Sequence, residues 1–176
     1  AAGAKYDGDP WDLVLRGSLI KEALPIYSVL TLSATGSEMD CFAVISDLEK
    51  NEKWGTGAEA LKPKMSIMDP QYTYTVSKKQ TSAGTADIMS HTFENYFTNV
   101  KGAGLQGHMC EAVLKTCIKY APIALENPED YDARANLMWC GSLAINGLLS
   151  YGAEVTWCVH PMEHELSAFY DITHGQ

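Results

Sequence analysis

Positive charge is scarce in this chain. Thirteen Lys and Arg stand against 22 Asp and Glu in 176 residues, a net charge of −9, and the cations are scattered rather than gathered into a stripe. With no basic face to neutralise phosphates, no nucleic-acid partner is expected. Long apolar runs are missing too: none approaches the roughly 20 residues that a membrane helix needs, so no membrane partner is expected. Ala1 opens the chain without the charged and apolar regions of a signal peptide, and a soluble, cytoplasmic protein is the expectation. The five cysteines (Cys41, Cys110, Cys117, Cys140, Cys158) are odd in number and form no C-x-x-C pair. That argues against a disulfide framework and a zinc knuckle, and fits buried thiols in a reducing compartment. A start Met is lacking, and the chain stops at His174-Gly-Gln176 with no closing element, so it reads as an internal piece of a longer one.

What is present falls into two patterns. From Leu24 to Met68 the signal is strand-like. Ile26–Ser33, Cys41–Ser46 and Met65–Met68 are short, β-branched or aromatic, and lie between turn residues. The charged stretch Asp47–Trp54 is predicted to be a solvated hairpin tip. After about Ser77 the period becomes helical. Asp87, His91 and Glu94 share one side of a helix over Thr81–Phe97, and Val113, Cys117, Tyr120 and Ala124 continue the period in a second, which Pro122 should kink or end. A third is predicted over Ala133–Ser150, with Leu137, Gly141, Ala144 and Leu148 as its stripe. Strands first and helices second predict an α/β piece followed by an all-α piece, divided near residue 79 into 1–79 and 80–176.

Two glycine patterns invite a dinucleotide reading. Gly102-Ala-Gly-Leu-Gln-Gly107 matches G-x-G-x-x-G by letter, but the fingerprint requires a strand before it and an acid on a second strand about 30 residues on. Here a helix precedes, and Pro128-Glu-Asp-Tyr-Asp follows, so a helix–helix loop is expected. Gly55-Thr-Gly-Ala-Glu-Ala60 is a weaker match, stopped by Pro63.

The chemistry is expected elsewhere. Asp87 and His91 are four apart on a helix and can converge on one point. His160 and His164 repeat that spacing in Val159-His-Pro-Met-Glu-His-Glu-Leu166, and His174 follows in a His-Gly turn. Any one of these histidines alone could be an ordinary packed or surface residue, and His108 is read as one. As a set, Asp87, His91, His160 and His174 offer one carboxylate and three imidazoles, a donor set for a divalent cation, Fe²⁺ or Zn²⁺, with a position open to substrate. Two rivals remain. His160-Pro-Met-Glu-His164 also satisfies H-x-x-E-H, the motif of a zinc metallohydrolase with Glu163 as general base, although Pro161 should disturb the unbroken helix that such a site requires. The chain could also be a non-catalytic helical scaffold whose histidines only pack.

Four segments carry a further signal: Leu30-Thr-Leu-Ser-Ala-Thr-Gly-Ser-Glu38, Met68-Asp-Pro-Gln-Tyr-Thr-Tyr74, Gly84-Thr-Ala-Asp-Ile-Met-Ser-His91, and His160 through Gly175. Together they resemble the iron-containing alcohol dehydrogenases, and within them the bacterial NAD(P)H-dependent butanol dehydrogenases. The resemblance implies the end of a Rossmann-like dinucleotide domain followed by the first part of a helical metal-binding domain, in a dehydroquinate synthase-like fold. It implies Asp87, His91, His160 and His174 as metal ligands, with His164 as a non-ligand beside substrate and nicotinamide. It implies NAD or NADP along Thr31, Thr35, Lys53 and Tyr72, which would otherwise read as turn residues, a solvated charge and a strand aromatic. Primary alcohols and aldehydes are the implied substrates, and a homo-oligomer, a dimer, the implied full-length state. Family chains are about twice as long, and a Gly-Gly-Gly-Ser loop gripping the pyrophosphate would lie before Ala1.

Overall fold

The computed structural model describes residues 1–176. Helix α1 spans Trp11–Leu15 and is followed by four strands, β1 Tyr27–Val29, β2 Phe42–Asp47, β3 Glu52–Gly57 and β4 Met65–Ile67. Four longer helices follow: α2 Lys78–Tyr96, α3 Gly104–Glu126, α4 Tyr131–Ile145 and α5 Val159–Tyr170. None is long and apolar enough to cross a membrane.

The strands form two separate pairs. β1 runs parallel to β4, Tyr27 facing Met65 and Val29 facing Ile67. A parallel pair needs a crossover, and the crossover here is the antiparallel β2–β3 hairpin. The Ser66 hydroxyl accepts from the Ser28 hydroxyl (2.7 Å) and donates to the Glu38 carbonyl (2.7 Å), tying the pair to the loop after β1. The hairpin is longer than its charge pattern predicts. Glu52, Lys53 and Trp54 belong to β3, with Lys53 opposite Ser46, and only Leu48–Asn51 form the tip. Asp47 closes that turn by accepting the Glu49 and Lys50 amides at 3.1 and 3.2 Å. Lys53 is therefore no solvated charge: its strand aims its ammonium at α5.

The main core is helical. Ile88 of α2, Cys110, Val113 and Cys117 of α3, and Leu137, Cys140 and Ala144 of α4 are all buried against one another. Three of the five cysteines are thus buried, and all five are free. Caps set the helix starts: the Ser77 hydroxyl accepts the Gln80 amide (3.2 Å), and Asp130 accepts the Ala133 amide (2.9 Å). Pro122 does not end α3, since the helix continues to Glu126. The proline removes the bond to the Ile118 carbonyl, but Ile118 is 64% exposed and water can take that carbonyl. α4 is shorter than predicted. Asn146 accepts the Leu148 amide at 3.0 Å, a local turn that competes with the helix and leaves Leu148 outside it. Of the Gly102–Gly107 run only Gly102 and Ala103 lie in the loop between α2 and α3; Gly104–Gly107 form the first turn of α3 and not the expected loop, and a helix rather than a strand precedes them.

The loop after β1 is seated on these helices. Gly36 has φ +69°, and a Cβ there would lie 2.3 Å from Ile145 Cγ2 and 2.8 Å from the Gly141 carbonyl oxygen. Only glycine satisfies both constraints. Gly36→Ala is expected to destabilise the full-length protein by about 1–3 kcal/mol in denaturant unfolding; an unchanged midpoint would show that the loop does not need this approach.

Candidate metal centre and its cleft

α2 supplies the fixed half of the centre. Asp87 and His91 stand one turn apart on its buried face, both almost fully enclosed, beside core residue Ile88. The second half comes from α5, whose second residue is His160, and from the turn after it, which carries His174. Gly175 lets that turn close: its φ is +79°, and a Cβ would overlap the Ala83 carbonyl oxygen at 2.2 Å.

Three imidazoles face a single carboxylate oxygen. Asp87 Oδ1 lies 3.1 Å from His174 Nε2, 3.4 Å from His160 Nε2 and 3.7 Å from His91 Nε2. Asp87, His160 and His174 present atoms all within 4.8 Å of one another. His91 is not part of that triplet; its ring stacks on His160 with centroids 4.4 Å apart, and Trp157 meets both rings edge-on.

The distal nitrogens decide which atoms point inward. Glu94 Oε2 bonds His160 Nδ1, while Glu94 Oε1 accepts the Cys158 and Val159 amides at 2.7 and 2.6 Å. One carboxylate thereby orients a ring and caps the start of α5. Glu163 Oε2 accepts from His174 Nδ1 at 2.5 Å. A carboxylate can only accept, so both Nδ1 atoms carry hydrogen and both Nε2 atoms turn toward Asp87. Asp87 Oδ2 and His91 Nδ1 are buried with no partner. Protonated, the Nε2 atoms of His160 and His174 donate to this buried, incompletely paired carboxylate; without those protons they face it as acceptors, and the donor set of one oxygen and three imidazoles then fits a divalent metal.

The electrostatics agree. Burial alone would push the Asp87 carboxyl up, but the bonds from His160 and His174 outweigh it and hold it well below its ordinary value. Burial brings His91 down to about 4, so its ring is neutral near pH 7. For His160, burial is outweighed by Asp87 and Glu94, and for His174 the bond to Asp87 dominates; both are raised, as expected where positive charge is favoured.

A cleft of about 840 Å³ opens onto this centre, between α5 on one side and the β2–β3 hairpin with the loop after β1 on the other. His164 lines it, lowered first by burial and then by the Lys53 ammonium. Of the four residues expected along a cofactor, Thr35 and Lys53 line the cleft; Thr31 and Tyr72 do not, and both are exposed. Gly55 and Gly57 do, although their short glycine pattern is weak on its own. His108 is exposed and apart from the site. Trp157 and Asp40 escape sequence reasoning. Glu94 does not wholly: it lies seven residues after Asp87, on the same helical face.

Pro161 leaves α5 unbroken because it stands in the first turn, where amides have no helical partner anyway. The metallohydrolase motif fails on a different ground: its base, Glu163, is engaged by His174, and His164 is not among the groups gathered on Asp87.

Two family profiles match the chain. "Iron-containing alcohol dehydrogenase" covers residues 1–70, and "Fe-containing alcohol dehydrogenase family, C-terminal" covers residues 81–176. The chain belongs to the iron-containing alcohol dehydrogenase family. Among members of this family, NADH-dependent butanol dehydrogenase A of Clostridium acetobutylicum is 65% identical over 175 residues, covering 99% of this chain and 45% of that protein. The NADPH-dependent aldehyde reductase YqhD of Escherichia coli is 40% identical over 179 residues, covering 100% of this chain and 46% of that protein. The crystal structure of NADH-dependent butanol dehydrogenase A from Thermotoga maritima superposes with a TM-score of 0.96 at 44% identity, over 99% of this chain and 44% of that one. This chain therefore spans less than half the length of the iron-containing alcohol dehydrogenases it matches. No comparison brings support to the metallohydrolase reading, which is withdrawn.

Beside the histidines, a carboxyl of the cleft is shifted as well. Burial raises the Asp40 carboxyl to about 6, against the stabilising Phe42 amide bond of 2.9 Å. The folded state then holds a proton that the unfolded chain has released between pH 4 and 6. Ionisation therefore costs stability as pH rises through that window, by up to about 3 kcal/mol above it. Asp40→Asn, which keeps the acceptor oxygen, is expected to stabilise the full-length protein above pH 6 and to do nothing below pH 4. Equal stability of the two proteins at pH 7.5 would refute the burial account.

Proposed function

We propose that this chain forms the central part of an oxidoreductase that interconverts primary alcohols and aldehydes, of the butanol and butanal type, with NAD or NADP carrying the hydride. The observation that carries the reading is the convergence of three imidazole Nε2 atoms on Asp87 Oδ1 at the end of an open cleft. Family membership supports it, as do relatives named as butanol dehydrogenases and as an aldehyde reductase. The finer fold reading is part of the proposal. Residues 1–79 would end a Rossmann-like nucleotide domain, and residues 80–176 would begin the helical metal-binding domain of a dehydroquinate synthase-like fold. In support, every strand precedes residue 68 and every long helix follows residue 77.

Asp87, His91, His160 and His174 would hold a divalent cation, iron by family or zinc by donor chemistry, which supplies a Lewis acid for the substrate oxygen. Asp87 contributes the negative charge of the set. His91 needs no deprotonation to serve, being neutral near pH 7. Glu94 and Glu163 keep the rings of His160 and His174 turned inward. His164, on the cleft wall and lowered from its ordinary value, is mostly neutral at that pH, so its ring can take the hydroxyl proton of an alcohol and pass it to solvent. Thr35 and Lys53 would line the cofactor, with the exposed Thr31 and Tyr72 as further contacts, and Trp157 beside the rings would exclude water.

In the full-length protein, His174→Ala is expected to lose bound metal and turnover together. His164→Ala is expected to keep one metal per chain and to lower kcat by about 10²–10⁴-fold. Elemental analysis beside an alcohol-oxidation assay checks both. Equal metal content in wild type and His174→Ala would overturn the ligand assignment.

A further inference from the structure

Glu163 stands three residues after His160 on α5, and the reaction proposed above gives it no chemical step. Its carboxylate nonetheless lies against three titratable or charged groups. Oε2 accepts from His174 Nδ1 at 2.5 Å, lies 3.5 Å from Lys53 Nζ and 3.9 Å from His164 Nε2, while Oε1 is buried without a partner. Lys53 is enclosed as well, and its ammonium also donates to the Ser167 hydroxyl at 2.6 Å. One carboxylate therefore touches the cation that the hairpin sends into the cleft and the ring that faces Asp87. Glu94, which orients His160, makes no such second contact with a charge of the cleft.

A second cation held by Glu163, His164 and His174 is the obvious competing use, since their atoms lie within 4.8 Å of one another. The distances oppose it. Two ligands on one ion, each at about 2.0–2.2 Å, sit roughly 3 Å or more apart, whereas His174 Nδ1 and Glu163 Oε2 are 2.5 Å apart. The Lys53 ammonium also already supplies the positive charge that such an ion would bring.

We propose that Glu163 is a positioning residue that couples metal binding to dinucleotide binding, through the chain Lys53–Glu163–His174. The inference rests on the metal and cofactor reading above. Two groups compete for one carboxylate oxygen. A dinucleotide that draws Lys53 toward itself leaves Glu163 free to bond His174 more strongly, which makes that ring a better ligand. A metal on His174 makes its Nδ1 hydrogen a better donor, which draws Glu163 away from Lys53 and frees the ammonium for the cofactor. Both directions have the same sign, as reciprocity of binding requires.

The test is the Zn²⁺ dissociation constant of the full-length enzyme, measured by chelator competition without and with saturating reduced dinucleotide, NADH or NADPH, whichever the wild type binds. Wild type is expected to bind one Zn²⁺ per chain, about five- to tenfold more tightly with dinucleotide present. Glu163→Gln, which keeps an acceptor of the same shape but not its charge, is expected to bind one Zn²⁺ about tenfold more weakly, with the dinucleotide effect reduced to less than twofold. A merely structural role would leave that dinucleotide effect intact. Coupling in Glu163→Gln equal to that of wild type overturns the proposal. So does wild type that binds one Zn²⁺ with no dinucleotide effect, a result that decides the matter even if the variant does not fold. Two Zn²⁺ per wild-type chain and one in Glu163→Gln would make Glu163 a ligand and overturn it as well. Wild type that binds no Zn²⁺ would instead sink the metal reading, and this inference with it.

Discussion

A buried carboxylate surrounded by imidazoles is the constraint on which the rest of this structure depends. Asp87 is 2% exposed and sits beside a fully buried isoleucine, where an unpaired negative charge would cost several kcal/mol. Nothing in α2 itself relieves that cost except His91, which burial keeps neutral. Relief has to come from α5 and the turn behind it, so the demand of one side chain dictates where a distant segment must lie. The glutamates at Glu94 and Glu163 follow from the same demand. An imidazole that turns Nε2 toward Asp87 exposes its Nδ1 hydrogen on the other side, and in each case a carboxylate receives it.

α5 is held in an unusual way. None of its residues is buried, and Val159, Met162, Leu166, Phe169 and Tyr170 are exposed. Within this chain its anchorage is polar: the Glu94 cap at its start, the rings on Asp87, and the Lys53 bonds to Ser167 and Glu163. Bonds of this kind are directional and fix orientation more strictly than apolar contact does, which suits a segment that must aim three imidazoles. His91 differs from the other two rings in having no carboxylate on its Nδ1. Stacking on His160 and the edge of Trp157 hold it instead, together with the buried helix that carries it.

The parts legible in the sequence are those written at short range. Asp87, His91 and Glu94 recur at i, i+4 and i+7, and this spacing alone puts them on one face of a helix. Val113, Cys117 and Leu137 announce their core by period. What was not legible depends on pairs far apart in the chain or on solvent. Lys53 reads as a solvated charge because its partners, Glu163 and Ser167, lie more than a hundred residues away. Pro122 reads as a break because the sequence does not tell that Ile118, whose carbonyl it leaves without a helical partner, is an exposed residue. The donor chemistry of the set and the family likeness both point to His160 and His174 as partners of Asp87, although no local period encodes that meeting.

The two halves of the centre are unequal, and the inequality has a thermodynamic meaning. Asp87 and His91 are set in a helix packed through Ile88 into the main core, so their geometry exists whether or not anything binds. His160 and His174 belong to a segment held mostly by polar bonds, those of the centre among them. A cation joining all four would then stabilise the docking of α5 along with its own coordination, because the free energy of binding a metal between two segments is shared with the ordering of the looser one. The same logic explains the placement of Glu94. By capping α5 with one oxygen and orienting His160 with the other, it makes the correct start of the helix and the correct aim of the ring a single event, so that the looser half cannot dock with its ligand turned away.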